Sequence, residues 1–479
     1  MVLRSLSRGL FFTFLAGAPR LALAQAEATA AAASQSTGAA PTPAAPDPSD
    51  SARDARLQEI DQRERVLERK LELADEELSK RLKETPVLGA GDKGFSITSP
   101  DKAYAVKIKG LLQADGRFFL DDDALKLKNQ FLIRKARLYI DATLGGVADF
   151  RIMPDFTSTS APIQDAYGDF RPWAFLKLRI GKFKSPVGLE RLQNDAAVKF
   201  AERSFTSSVA PNRDIGAQLH GDILGGAIYY ALAVFNGTAD GASLDGDVSY
   251  AKDFAGRLFF QPFKNDPYSI LNGLGFGVAG SIGNQKGSTA APGLSGYVTV
   301  GQQSFFSYLT DSKDASNNPF ANKRRDRISP QLYYFVGPFG LLAEHIISRH
   351  TVEKKGTRTK LANQATLVQA SVVLTGEANT YDGIVVKDGF DPSKGTIGAI
   401  ELSARYNQLK IDEDTFPTFA DPNTSASKAQ SWGVALFWNW TRNLAWEVNF
   451  EQTLFKGGAA AGGDRKKENV LISRAQVNF

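Results

Sequence analysis

The chain has 479 residues, of which 43% are hydrophobic and 23% are charged, and its formal net charge is +5 at pH 7. A helical membrane protein would be far more apolar, with long uncharged runs, so this composition excludes that class. The absence of cysteine excludes structural disulfides and thiolate metal sites.

The first residues have the features of a secretory signal peptide. Arg4 and Arg8 precede an apolar stretch at 9–18, and small residues suited to cleavage lie within 22–26. We therefore predict that residues 1–26 direct export of the chain, with a disordered basic tail as the alternative.

The next two segments differ sharply in composition. Residues 27–50 are rich in Ala, Ser, Thr and Pro and predict a disordered linker. Residues 51–86 are rich in charged helix formers, and their apolar residues are spaced by three and four, which indicates a short α-helical coiled coil. This heptad seam comprises Leu57, Ile60, Glu64, Leu67, Leu71, Ala74 and Leu78. Glu64 interrupts the apolar line, so a single solvated helix is the alternative.

From about residue 95 onwards, apolar and polar side chains alternate with period two, which predicts β-strands. In the first strand one face has Val106, Ile108, Gly110, Leu112, Ala114, Gly116 and Phe118, and the other has Lys107, Lys109, Gln113, Asp115 and Arg117. Alternation alone would also fit a soluble sandwich.

Three further features favour a membrane barrel. Aromatic residues gather near strand ends, as in lipid-facing girdles. Short turns such as 336–340 and 441–443 alternate with polar loops, which we place at 238–247, 284–296, 310–324 and 410–428. The chain also ends in an alternating strand that finishes at Phe479. We predict an all-β fold, a transmembrane antiparallel β-barrel of about 16 strands over residues 95–479, in contact with outer-membrane lipid.

Charge indicates the solute. Between Arg134 and Arg213 there are 13 Lys or Arg residues against 8 Asp or Glu residues. Because the signal peptide removes the chain from the cytoplasm, small anions are better candidates than nucleic acid. The chain has only three histidines and no GxSxG element, so we do not expect an enzyme. The sequence contains no pattern for a cofactor or a metal, and we predict neither.

Several motifs together resemble one known family. They are Gln-Asp-Ala-Tyr at 164–167, Arg-Ile-Gly-Lys-Phe-Lys-Ser-Pro-Val-Gly-Leu-Glu-Arg at 179–191, Phe-Ala-Glu-Arg-Ser at 200–204, Asn-Arg-Asp-Ile-Gly at 212–216 and Val-Phe-Asn-Gly at 234–237. With them, the region from about 95 to the end resembles the phosphate-selective porins of the O and P type. The resemblance implies a trimeric barrel of 16 strands, a third loop folded into the pore, and basic residues that draw phosphate through it.

The candidate anion pathway follows from this resemblance and from the alternation of the strands. If the fifth strand ends near Lys182, the loop at 184–213 narrows the pore. Its cations are Lys184, Arg191, Lys199, Arg203 and Arg213. The cations of the barrel wall are Lys107, Lys109, Arg117, Lys135, Arg137, Arg151, Lys177 and Arg179.

Each of these cations has a structural alternative. Asp115, Asp141, Asp149 and Asp155 share the polar face and could neutralise them. Glu190 and Glu202 are interpreted as orienting or structural partners for the loop.

The sequence thus predicts an outer-membrane porin that passes anions, most of all phosphate, by passive diffusion. One alternative is a general porin or one for other anions such as pyrophosphate or polyphosphate. Another is a structural envelope anchor, in which the helix trimerises in the periplasm or contacts the cell wall.

Overall fold

A computed structural model describes residues 48–120, 127–158, 162–243, 245–246 and 251–479. The described chain divides into two units, with the boundary between Glu76 and Glu77. The predicted signal peptide, and all of the predicted linker except its last three residues, lie outside the described residues.

One long helix, α1 (Pro48–Glu84), occupies the predicted coiled-coil segment. Its surface has ion pairs one turn apart, with 2.7 Å between Arg63 and Glu59 and between Arg81 and Glu77. Such exposed pairs each stabilise a helix only slightly. No described helix is both long and apolar enough to cross a membrane. The apolar seam residues Leu57, Ile60, Leu67, Leu71 and Leu78 are all exposed.

The rest of the described chain is dominated by antiparallel strands. They are β1 (Val87–Gly91), β2 (Gly94–Thr98), β3 (Ala105–Phe119), β4 (Gln130–Leu144), β5 (Ala148–Pro154), β6 (Ile163–Trp173), β7 (Leu176–Lys184), β8 (Arg213–Ile223), β9 (Ile228–Phe235), β10 (Asp253–Phe260), β11 (Leu274–Lys286), β12 (Tyr297–Val298), β13 (Ser304–Phe306), β14 (Phe320–Val336), β15 (Phe339–Lys354), β16 (Thr357–Val373), β17 (Ala399–Lys410), β18 (Ala426–Asn439), β19 (Leu444–Gly457) and β20 (Glu468–Asn478).

Sixteen of these strands form a closed barrel, which confirms the predicted fold class. Successive strands pair with one another, and β3 pairs with β20 from Leu111 opposite Asn478 to Phe119 opposite Val470. Closure pairs each of the sixteen barrel strands with a neighbour on both sides, so their backbone is satisfied within the sheet, as a membrane-spanning sheet requires. The hairpin β1–β2 extends the sheet beside β3, and β12–β13 is a small separate hairpin.

The two faces of the wall follow the alternation of the sequence. Leu402 and Val434 point outward and are each 44% exposed, as expected of side chains that contact lipid. Arg405 and Asn449 point inward and are buried, because loops fill part of the lumen. The polar face of each strand is therefore the interior of the barrel.

The connections at the two ends of the barrel differ in length. We call the end where β3 begins and β20 finishes the terminus end, and the opposite end the loop end. At the terminus end, β4–β5 and β14–β15 are joined by only a few residues, whereas residues 374–398 form a long segment that the sequence did not predict. At the loop end, the loops predicted at 284–296 and 310–324 form one connection between β11 and β14, because the segment between them forms only the small hairpin β12–β13 and no barrel strand.

Loops from the loop end pack inside the barrel. Phe205, Val209, Phe305 and Phe306 form a buried apolar cluster with residues of the inner wall, including Ile346. Its wall residues come from strands between β7 and β19, including Ala233 of β9, Ala365 of β16 and Phe455 of β19. The inward loops therefore fill part of the lumen.

Candidate permeation pathway

The connection between β7 and β8, residues 185–212, folds into the lumen, and we call it the constriction loop. It contains two short helices, α2 (Leu189–Leu192) and α3 (Phe205–Val209). The turn into α2 needs glycine, since Gly188 has φ +97° and a Cβ there would lie 2.8 Å from the Cβ of Ala210. β7 is the fifth barrel strand and ends at Lys184, two residues beyond the predicted end.

Side chains of the opposite wall hold the constriction loop across the lumen. The backbone N–H of Leu189 donates to Glu344 on β15 at 2.7 Å, and that of Ala201 donates to Asn449 on β19 at 3.2 Å. These contacts satisfy backbone groups that would otherwise be buried without partners. The loop is thus attached to β7 and β8 at its ends and to β15 and β19 across the lumen.

Glu190 organises the interior of the constriction loop. Its carboxylate accepts hydrogen bonds from the N–H of Ser204 at 2.9 Å, from the Oγ of Ser204 at 2.8 Å and from the Oγ of Ser207 at 2.7 Å. Glu190 is only 1% exposed. It joins the two helices of the loop rather than facing solvent.

Two cavities meet at the constriction loop. The loop-end cavity has a volume of about 710 Å³ and the terminus-end cavity one of about 620 Å³. The residues that line both are Lys184, Asp195 and Arg213. These three side chains therefore mark the narrow part of the pathway through the barrel.

Cations outnumber carboxylates in both cavities. Each is lined by eight Lys or Arg residues and four Asp or Glu residues. In the loop-end cavity these are Arg134, Lys135, Arg137, Lys184, Arg191, Arg203, Arg213 and Arg474 against Asp155, Asp195, Glu202 and Asp240. In the terminus-end cavity they are Lys93, Lys107, Lys109, Arg151, Arg179, Lys184, Arg213 and Arg257 against Asp92, Asp165, Asp195 and Asp382.

The central carboxylate of the narrow part is Asp195. It pairs with Lys135 at 2.9 Å, with Arg203 at 3.0 Å and with Arg137. Burial alone raises the pKa of Asp195, but the attraction of these cations outweighs burial and holds the pKa well below its usual range. Asp195 therefore stays charged and neutralises only part of the cluster.

The positive charge that Asp195 does not neutralise affects the pKa of a loop arginine. Burial, together with repulsion from Arg203 and Arg213, lowers the pKa of Arg191 to about 9. Arg191 still remains protonated at neutral pH. A mobile anion entering this region would reduce the repulsion, so the arrangement attracts negative charge.

Ten of the thirteen cations predicted from the sequence line one or both cavities. The other three do not. Lys199 is buried and pairs with Glu401 at 2.9 Å. Arg117 is buried between Asp115 and Glu202, and Lys177 pairs with Asp222 at 2.8 Å. For these three the structure favours the alternative given above, an internal ion pair.

Several lining residues were missed by the sequence analysis. Arg134 reaches the lumen because of a bulge, where Gln113 pairs with Lys135 and the next residue of β3 pairs with Ile133. Strict alternation would have turned Arg134 towards lipid, so no sequence signal identified it. Arg257 and Arg474 follow the alternation: Arg474 lies in the terminal strand that the sequence predicted, and Arg257 lies in a strand that the sequence analysis left unassigned.

A closed antiparallel barrel with an apolar outer face, a charged lumen and an inward loop defines the class of outer-membrane porins. Residues 106–479 match the family described as phosphate-selective porin O and P. The chain therefore belongs to the phosphate-selective porin O and P family, and it is an outer-membrane protein. The resemblance stated from the motifs is confirmed.

Known proteins are similar to this chain in sequence or in fold. The chain is 25% identical over 404 residues to Porin O of Pseudomonas aeruginosa, covering 74% of this chain and 84% of that protein. The outer-membrane channel DcaP of Acinetobacter baumannii has a similar fold, with a TM-score of 0.51 and 12% identity over 79% of this chain and 98% of that one. An anion-selective porin from Comamonas acidovorans aligns with a TM-score of 0.47 and 11% identity over 78% of this chain and all of that one.

Catalytic chemistry would need a metal-binding cluster or a suitably placed histidine. The described residues contain no group of three or more His, Cys, Asp or Glu that could hold a metal ion. His345 bonds Thr366 at 2.8 Å, and His350 bonds Tyr308 at 2.8 Å. The family and its structural relatives are channel proteins rather than enzymes.

Proposed function

We propose that this porin passes anions by passive diffusion and that phosphate is its principal substrate. The observation that carries the proposal is the excess of cations in both cavities, which meet at Lys184, Asp195 and Arg213. The family name and the similarity to Porin O favour phosphate among the anions.

The cations of the pathway are only partly paired, which suits passage of an anion better than tight retention of it. Arg213 donates to Asp165 at 2.7 Å, and Lys184 donates to the backbone carbonyl of Gln193 at 2.7 Å. Each keeps further N–H donors that can replace part of the hydration of an anion. Because carboxylates compete for the same donors, each site binds weakly enough to release the ion to the next.

The assembly and orientation are part of the proposal. The terminus end faces the periplasm, α1 lies in the periplasm, and three barrels associate as a homotrimer, as the family resemblance implies. Contact of α1 with the cell wall stays a prediction. A structural anchor alone would not need a cationic pathway through the lumen.

Single-channel recording in planar bilayers tests the function. In salt gradients we expect a reversal potential of anion-selective sign and a chloride current blocked by added phosphate. Lys184→Gln with Arg213→Gln should weaken the block about tenfold or more, since each removes a charge-assisted hydrogen bond. The control is Lys410→Gln with Arg324→Gln, which changes two exposed cations outside the cavities.

Three results would contradict parts of this proposal. Cation selectivity would reject an anion channel. Block by pyrophosphate or polyphosphate, without block by phosphate, would keep the anion channel and change the substrate. A folded barrel that conducts no ions would leave only the role of a structural anchor.

A further inference from the structure

Arg257 differs from the other arginines of the terminus-end cavity. Arg151 and Arg179 each pair with a carboxylate of a neighbouring strand. Among the described residues, no carboxylate forms an ion pair with Arg257, whose Nε–H donates to the amide oxygen of Gln331 at 3.0 Å. Its remaining N–H groups are available to a solute in the cavity that it lines.

Aromatic rings surround this guanidinium. The Cζ of Arg257 lies 4.5 Å from the ring centroid of Phe259 and 5.6 Å from that of Tyr229. Tyr381, from the long segment at the terminus end, stacks on Tyr333 with 5.2 Å between centroids and an interplanar angle of 26°. Tyr229 and Tyr381 line the same cavity as Arg257.

These groups offer an aromatic surface as well as hydrogen-bond donors, and an inorganic oxyanion can use only the donors. Inorganic phosphate needs donors but gains nothing from an aromatic face, whereas an aryl ring packs favourably against tyrosine. The hydroxyl of Tyr229 makes no hydrogen bond within the described part of the chain and can bind polar substituents. A cavity of about 620 Å³ is within the usual size range of small-molecule sites.

We propose that Arg257, Tyr229 and Tyr381 form a binding site for aromatic carboxylates on the terminus side of the constriction. The carboxylate pairs with Arg257, and the ring packs against the tyrosines. This inference rests on the proposed anion conduction and extends its substrate class to aromatic organic anions.

The test compares benzoate with cyclohexanecarboxylate, which has the same charge and similar size but no aromatic ring. Each is added to both chambers of a bilayer that contains the full-length wild-type porin, and block of the chloride current is titrated. We expect benzoate to block at about fivefold lower concentration, the advantage typical of an aromatic pair.

Two variants separate the two parts of the site. Tyr229→Leu should remove the difference between the two carboxylates, whereas Arg257→Gln should weaken the block by both. The matched control is Tyr230→Leu, since Tyr230 lies on the outer face and bonds the carbonyl of Phe175 at 2.7 Å. Each variant must still insert into the bilayer and form channels that conduct chloride, which shows that the barrel has folded.

The outcomes distinguish this inference from the proposed function. Equal block by the two carboxylates in an anion-selective wild-type channel would overturn the aromatic site and leave anion conduction intact. A cation-selective reversal potential would overturn the proposed function itself. Loss of the preference in Tyr230→Leu as well as in Tyr229→Leu would also overturn the site.

Discussion

Asp195 shows how one residue can set the charge of the constriction. It is a carboxylate among cations at the point where the two cavities meet, and Lys135, Arg137 and Arg203 all pair with it. An anion that passes must compete with this carboxylate for the same donors. Asp195 therefore limits how tightly the constriction binds its substrate.

The variant Asp195→Asn should bind phosphate more tightly than the wild type. Removing the charge frees Lys135 and Arg203 from their ion pairs and leaves Arg137 paired with Asp155 alone. We expect phosphate to block the chloride current at about tenfold lower concentration. Single-channel block measures the effect. The control Asp222→Asn changes a carboxylate that pairs with Lys177 and lines neither cavity. Unchanged or weaker block in Asp195→Asn would contradict this role.

The difference in reversal potential between wild type and Asp195→Asn should not change between about pH 7 and about pH 5. The pKa of Asp195 is lowered in the folded protein, so its contribution to stability is fully present above the unfolded pKa of about 3.9. That contribution is lost only as pH falls further, through the folded pKa. Reversal potentials recorded across this range check the prediction, and a difference that disappears by about pH 5 would refute it.

At the scale of elements, the constriction loop is held from both ends of the barrel. Residues 374–398 reach the loop from the terminus end, where the hydroxyl of Tyr381 donates to the carbonyl of Leu189 at 2.6 Å. Lys199 donates to Asn379 in the same segment at 2.9 Å. Lys199 thus connects two inward segments instead of facing the solute.

Glu190→Gln should loosen the constriction loop without unfolding the barrel. The carboxylate accepts bonds from Ser204 and Ser207, and its loss weakens charge-assisted bonds worth about 1.5–3 kcal/mol each. We expect a larger and noisier unitary conductance. Glu413→Gln is the matched control, because Glu413 is 78% exposed. A conductance identical to wild type would show that Glu190 does not hold the loop.

At the scale of the whole molecule, α1 offers a separate surface for self-association. Its seam leucines are exposed in a single chain, with Leu67 60% and Leu71 69% exposed. Burial of these side chains in a helical bundle would stabilise an oligomer through the hydrophobic effect. This remains a prediction about the N-terminal segment.

Leu67→Asp with Leu71→Asp should lower the temperature at which the full-length oligomer dissociates in detergent. Charges on the seam oppose helix pairing, while the barrel keeps its conductance. Gel mobility after stepwise heating measures the change. The control is Leu73→Asp, which also alters an exposed leucine, but one outside the seam. Equal effects of seam and control variants would argue against a coiled coil.

The sequence by itself determined the barrel and most of its charged wall. Alternation has a period of two, so Lys107, Lys109, Arg151 and Arg179 were assigned to the lumen once the apolar face was assigned to lipid. The family motifs located the constriction loop within one residue at each end. These are local properties, and local properties can be read from one chain.

Only the tertiary structure decided which cations face the pathway. Arg117 and Lys199 have the same residue types and spacing as lining cations. They are nevertheless buried in ion pairs with carboxylates that are distant in sequence, Glu202 of the constriction loop and Glu401 of β17. Arg257 remains unpaired because no carboxylate of the described neighbours reaches it. Pairing depends on residues brought together by barrel closure and loop packing, and their distance in sequence hides it.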